Sequence, residues 1–230
     1  MTLNAIAIDQ RGALSSLIKN KSIAAEFLGT LMLVQAIVGS GVMAKNLSDD
    51  ILLQLLINAI AAVTTLTLII SIFKGISGAH FNPIVSILSL LDRKSSPAKI
   101  FVLILAQLLG AFCGAIIANL SFGLDAISIS STERTQTHLL VGEVIATFGL
   151  IFVVLMRPAK PELAIPLWIA GAYFFTSSTS FANPAVTFGR IFSDTFAGIS
   201  PSSVFPFLCA QCIGAALALL AVRIFFNERN

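Results

Sequence analysis

Charge is what this chain has least of. Only 11% of its 230 residues are Asp, Glu, Lys or Arg, against roughly 25% in a soluble globular domain. With 57% hydrophobic residues and a mean hydropathy of +0.95, so few charges cannot cover the surface of a water-soluble fold. Lipid is therefore the main solvent. Cysteine is also scarce. Cys113, Cys209 and Cys212 all fall inside apolar segments, which excludes a disulfide framework. Cys209 and Cys212 share a helix face, but no His or acid lies near them in sequence, so packing between helices is preferred over a metal or redox pair. Histidine is limited to His80 and His138. No nucleophile stands beside a base and no metal-ligand cluster appears, so neither an enzyme nor a cofactor is expected. No nucleic-acid partner is expected either; the net charge of +3 says little about partners.

The chain does have long apolar runs. They fall at about 22–44, 51–73, 98–120, 138–156, 163–180 and 202–226, and most approach or exceed the roughly 20 residues that cross a bilayer core. The runs are continuous rather than alternating, which excludes an outer-membrane barrel. Two shorter stretches, about 82–91 and 184–192, cannot span. Each follows an Asn-Pro pair: Asn82-Pro83-Ile84 and Asn183-Pro184-Ala185. Asn is a preferred N-cap and Pro is favoured at the first helical position. The expected fold is an all-α membrane protein with six transmembrane helices and two re-entrant half-helices.

The halves repeat. Asn82 and Asn183 are 101 residues apart; Ala106-Gln107 with Gly110-Ala111 recurs as Ala210-Gln211 with Gly214-Ala215; Glu26 has a counterpart in Glu143. Three spans per half is odd, so the second half enters from the opposite side. That is an inverted 3+3 repeat, with units 21–125 and 126–230 after a lead-in of residues 1–20. The Gly and Ala pairs suit close helix packing. Residues 1–20 lack the pattern of a cleavable signal peptide. With both termini in the cytoplasm, eleven basic residues lie inside (Arg11, Lys19, Lys21, Lys74, Arg93, Lys94, Lys99, Arg157, Lys160, Arg223 and Arg229). Three lie outside: Lys45, Arg134 and Arg190. This is a strong positive-inside pattern. Short loops favour a bacterial cytoplasmic membrane.

Half-helices entering from opposite faces bring two positive dipole ends together near the midplane. Backbone groups exposed there are tolerated only beside a wet cavity. An Asn carbonyl caps the helix while its NH2 donates into the pore, and the positive ends repel cations.

Ser77-Gly78-Ala79-His80-Phe81-Asn82-Pro83-Ile84 and Phe181-Ala182-Asn183-Pro184-Ala185 resemble the two signature loops of the aquaporin and aquaglyceroporin family. Ala25-Glu26-Phe27-Leu28-Gly29-Thr30 resembles its first span, and the likeness covers nearly the whole chain. Ile84 departs from the usual Ala. The resemblance implies a homotetramer with one pore per subunit, glutamates (Glu26 and Glu143) that brace the re-entrant loops, and a structural His80; pH gating by His80 is the alternative. His138 is expected at an interface.

Most of the family carries an Arg three residues past the second Asn; here that position is Val186. By spacing, the other constriction positions are Ala62, Gly171 and Ser180. Orthodox water channels place an aromatic and a His at the first two, and aquaglyceroporins keep an aromatic and the Arg. The expected filter is therefore wide and uncharged. Arg190 either points into the vestibule or caps the half-helix C-terminus, the latter being preferred. The segment from Asn183 to Gly198 is similar to a bacterial subgroup linked to arsenic resistance, which implies neutral arsenic acids or methylated arsenicals as solutes. The leading function is a passive channel for water and small uncharged polar solutes. A proton- or ion-coupled secondary transporter also uses inverted repeats, and a closed structural membrane protein is the third reading.

Overall fold

A computed structural model describes residues 2–91 and 95–226, with side chains described from Lys21 onward. Arg93, Lys94 and Arg229 of the charge pattern lie outside the described residues, as do the side chains of Arg11 and Lys19. The described residues form eight α-helices and one short 3-10 turn, Arg190–Phe192. The helices are α1 (Thr2–Leu47), α2 (Ile51–Phe73), α3 (Pro83–Leu88), α4 (Pro97–Ser121), α5 (Thr137–Leu155), α6 (Pro161–Phe175), α7 (Pro184–Gly189) and α8 (Pro201–Phe226). Helix α1 runs through the lead-in without a break, and its membrane-suited part is Lys21–Leu47. Among the described residues, five helices are long and apolar enough to cross a membrane.

Helix α6 is the exception. The apolar run 163–180 predicts a full span, but the helix stops at Phe175. At 15 residues it is about 22 Å long at 1.5 Å per residue, short of the roughly 30 Å core. The physical reason is the Thr176-Ser177-Ser178 run that follows. The Thr176 hydroxyl donates to the Ala172 carbonyl at 2.7 Å, a local bond that competes with helix continuation.

The repeat sets the packing. Helix α1 lies along α4 and α5 lies along α8, with α2 against α6 across the repeat axis. Glycine makes both long pairings close. A Cβ at Gly110 would overlap the Phe27 carbonyl of α1, and one at Gly214 would lie 2.5 Å from the Val144 carbonyl of α5. In lipid such close backbone approach supplies the van der Waals contact that holds helices together. Large apolar side chains such as Leu109, Phe205 and Phe225 are exposed on the rim, the outward pattern of a chain solvated by lipid. Cys209 and Cys212 are exposed there too. They do not pack between helices of this chain, because their shared face of α8 is the outward one.

The two faces differ. On one, the connection 122–136 is bound to the segment after α7. Ser128 and Ser130 N–H donate to the Phe192 and Ile191 carbonyls at 3.2 and 2.8 Å, and Ser200 N–H donates to the Thr132 carbonyl at 2.7 Å. Asn119 ties α4 into this collar by donating to the Phe192 carbonyl at 2.8 Å. On the opposite face, Lys74 and Glu162 form an ion pair at 2.8 Å between α2 and α6.

Candidate functional site

Both half-helices start as their residues dictate. The Asn82 side-chain carbonyl accepts from Ile84 N–H, with Pro83 at the first helical position. Asn183 accepts from Ala185 and Val186 N–H, with Pro184 following. The cap leaves each Nδ2 free to donate elsewhere. Asn82 Nδ2 donates to the Ala182 carbonyl at 2.8 Å, and Asn183 Nδ2 donates to the Phe81 carbonyl at 2.7 Å. Each Asn therefore clasps the loop of the other half. Sequence reasoning sends the amide into the pore. One of its two N–H bonds instead closes the clasp, and both Asn residues still border the central cavity.

The loops before the caps are strained in a repeated pattern. Ala79 (φ 52°) and Phe81 (φ 47°) have positive φ, and so do Ser180 (φ 53°) and Ala182 (φ 47°), each 101 residues on. Thr179 (φ 62°) joins the second loop. Non-glycine residues in this region cost about 1–3 kcal/mol each and persist only where the surroundings over-determine them.

Two buried acids do so. The Glu26 carboxylate accepts from His80 N–H at 3.0 Å, Phe81 N–H at 2.7 Å and Gln107 Nε2 at 2.7 Å. Glu143 accepts from Phe181 N–H at 2.8 Å, Ala182 N–H at 2.9 Å and Gln211 Nε2 at 2.7 Å. Gln107 also donates to Ser86 on α3, and Gln211 to Thr187 on α7. Acid, loop, half-helix and the fourth helix of each half thus form one network. The two glutamines were visible in sequence as repeat partners, but their spacing there reads as packing alone. His80 Nδ1 lies 3.1 Å from the Ser86 hydroxyl. His138 is exposed at the start of α5.

Between the halves lies a cavity of about 70 Å³, well above the roughly 10–15 Å³ that one water needs. Ala62, Ser180 and Val186 border it. Gly171 does not. It is exposed on the far side of α6, and its place is taken by Tyr173, which is buried and borders the cavity with Ile165 and Ile169. The correction follows from helix geometry. Residues 165, 169 and 173 recur every four and share a face, whereas residue 171 is two on from 169 and about 200° around. Ile84 is buried in the apolar core rather than on the cavity wall; Val85 faces the cavity instead.

The cavity wall as a whole does carry a charge. Arg190 caps the C-terminus of α7, is 3% exposed and borders the same cavity. Its Nε donates to the Ala197 carbonyl. It can do both because α7 ends at once and residues 190–200 fold back over it, Ile199 N–H donating to the Arg190 carbonyl at 3.3 Å. Among the described residues no group of three or more His, Cys, Asp or Glu stands in metal-binding proximity.

An inverted repeat, two half-helices joined by reciprocal asparagine bonds and a cavity between them define a channel-type membrane protein. The family model for major intrinsic proteins matches residues 13–165, and the chain belongs to that family, which comprises the aquaporin and aquaglyceroporin channels. It is 41% identical over 204 residues to aquaglyceroporin AqpS of Rhizobium meliloti (strain 1021), covering 86% of this chain and 87% of that one. It is 30% identical over 206 residues to aquaporin TIP1-2 of Zea mays, covering 82% and 81%. The crystal structure of the aquaglyceroporin from Plasmodium falciparum superposes with a TM-score of 0.66 at 23% identity, covering 89% of this chain and 95% of that one; it supports the fold alone.

Proposed function

We propose that this chain is a passive channel for water and small uncharged polar solutes of glycerol-like size, with one pore per subunit of a homotetramer. The carrying observation is the cavity bordered by both caps, Asn82 and Asn183, between two half-helix N-termini. Two positive helix ends there favour solute oxygens and disfavour cations. The pore motif is Asn82-Pro83-Ile84 with Asn183-Pro184-Ala185, in repeat units 21–125 and 126–230. The constriction is Ala62, Tyr173, Ser180 and Val186. Both termini lie in the cytoplasm of a bacterial inner membrane, which places the collar outside.

Neutral arsenic acids and methylated arsenicals are candidate solutes. Their hydroxyls resemble those of a polyol, the 41% identical relative is an aquaglyceroporin, and Val186 adds no bulky or charged group. The test is stopped-flow flux of water, glycerol, urea and arsenous acid into liposomes holding the full chain. Flux of water and glycerol well above empty liposomes is expected. Flux of neither rejects the channel reading, and exclusion of arsenous acid alone rejects that solute.

A further inference from the structure

Phe181, in the turn that leads to α7, carries two cations on one ring. The Arg190 guanidinium carbon stands 3.4 Å from the ring centroid, contact distance for a planar cation stacked on an aromatic face. The Arg134 guanidinium stands 5.1 Å from the same centroid, its Nε donating to the Gly198 carbonyl at 3.0 Å. The ring itself is fixed: it packs edge-on against the fully buried Phe207, centroids 5.2 Å apart. Arg190 makes no ion pair among the described residues.

A guanidinium has five N–H donors. Ala197 takes the Nε proton, which leaves the four Nη protons. A buried cation without a counter-charge is costly unless its donors are satisfied. Here it meets the Phe181 face, the Ala197 carbonyl and the cavity, with the Tyr173 and Glu143 side chains near enough to act on its charge but no ion pair formed. The wall beside it adds a second unspent group: Ser180 Oγ is buried, borders the cavity and has no hydrogen-bond partner among the described residues. Val186, one helical turn before Arg190, offers only methyl groups.

We propose that Arg190, seated on the Phe181 ring, is the specificity-determining cation of this pore. It repels protons and metal cations by its charge, and its Nη–H groups and the Ser180 hydroxyl hold the oxygens of a passing neutral solute. Arg134 is a positioning residue that holds the collar and adds to the same positive field. This rests on the channel reading above, because a cation in a closed cavity would select nothing.

The experiment compares wild type, Arg190→Leu and Val186→Arg/Arg190→Leu in liposomes, each read for water flux and for proton leak under a pH gradient. Wild type is expected to pass water and hold protons. Arg190→Leu is expected to pass water while its proton leak rises at least tenfold, and the double variant, with its cation one turn earlier, to close the leak again. Water flux in Arg190→Leu without added leak overturns the proposal, as does a wild type that leaks. If Arg190→Leu passes no water because it misfolds, Arg190→Lys decides, since it keeps a cation and a donor for the Ala197 carbonyl: water flux with protons held supports the proposal, and water flux with a tenfold leak overturns it. Failure of the channel reading is distinct, since it removes water flux from the wild type itself.

Discussion

Glu143→Ala removes the support of the second re-entrant loop. Three bonds vanish: those from Phe181 N–H, Ala182 N–H and Gln211 Nε2. Glu143 is fully buried, so water does not simply replace it. Two backbone N–H groups are left unpaired at about 1–3 kcal/mol each. The Gln211 amide loses one of its two partners but keeps Thr187. The same bonds hold Ser180 and Ala182 at positive φ, so part of that strain is released by moving the loop, which moves Asn183. The expected loss is about 3–5 kcal/mol, at the upper end for one substitution, or roughly 10 °C in the thermal transition on the scale for chains of this size. Glu143→Gln keeps one acceptor oxygen but turns an N–H toward a backbone N–H, so about half that loss is expected. The assay is thermal unfolding in detergent beside water flux in liposomes. A Glu143→Ala protein with wild-type transition and wild-type flux would refute the bracing role. A variant that keeps both but loses solute accumulation under a pH gradient would instead mark Glu143 as a proton carrier.

Gly110→Leu should prevent assembly, since even a Cβ there overlaps the Phe27 carbonyl across the α1–α4 crossing; size-exclusion chromatography in detergent is expected to show aggregate instead of a monodisperse peak. Asn82→Ala removes a helix cap worth about 1 kcal/mol and the bond to Ala182; folded protein with sharply reduced water flux is expected. In the collar, the Ser202 hydroxyl, with Ser200 and Ser203, holds the Glu133 carboxyl below its usual range while burial opposes the shift. A depressed folded-state value means a contribution present above the ordinary carboxylate range and lost as pH falls through the folded value. Thermal transitions measured from pH 7 to pH 3 should therefore show a decline that Glu133→Gln flattens.

Much of the fold can be read from the chain because lipid imposes a simple rule. A backbone in hydrocarbon must bond to itself, so apolar length predicts helices, and α2 coincides with its apolar run, 51–73. The two Asn-Pro pairs mark the half-helices because cap and first-turn preferences act locally. The 101-residue offset extends even to the left-handed residues of the loops. The wall of the pore was harder to read. Counting back from Asn183 points to Gly171, which assumes one loop length between α6 and α7. Which side chain faces the cavity is set instead by helical phase and by where Thr176 ends α6, and that selects Tyr173. Arg190 is ambiguous in the sequence for a related reason. Its reach toward the cavity depends on Phe181 as a platform and Ala197 as an anchor, and both come from chain folded back over it. The partners of Gln107 and Gln211 are likewise tertiary, although the repeat pointed to the pair.

The most direct test of passive conduction is glycerol flux into liposomes holding the wild-type chain, measured with no ion gradient and then with imposed proton and sodium gradients of either direction. A channel is expected to give flux proportional to the glycerol gradient alone, unchanged by the ions. Flux that appears only with an ion gradient, or accumulation of glycerol against its own gradient, would contradict passive conduction and identify a coupled transporter.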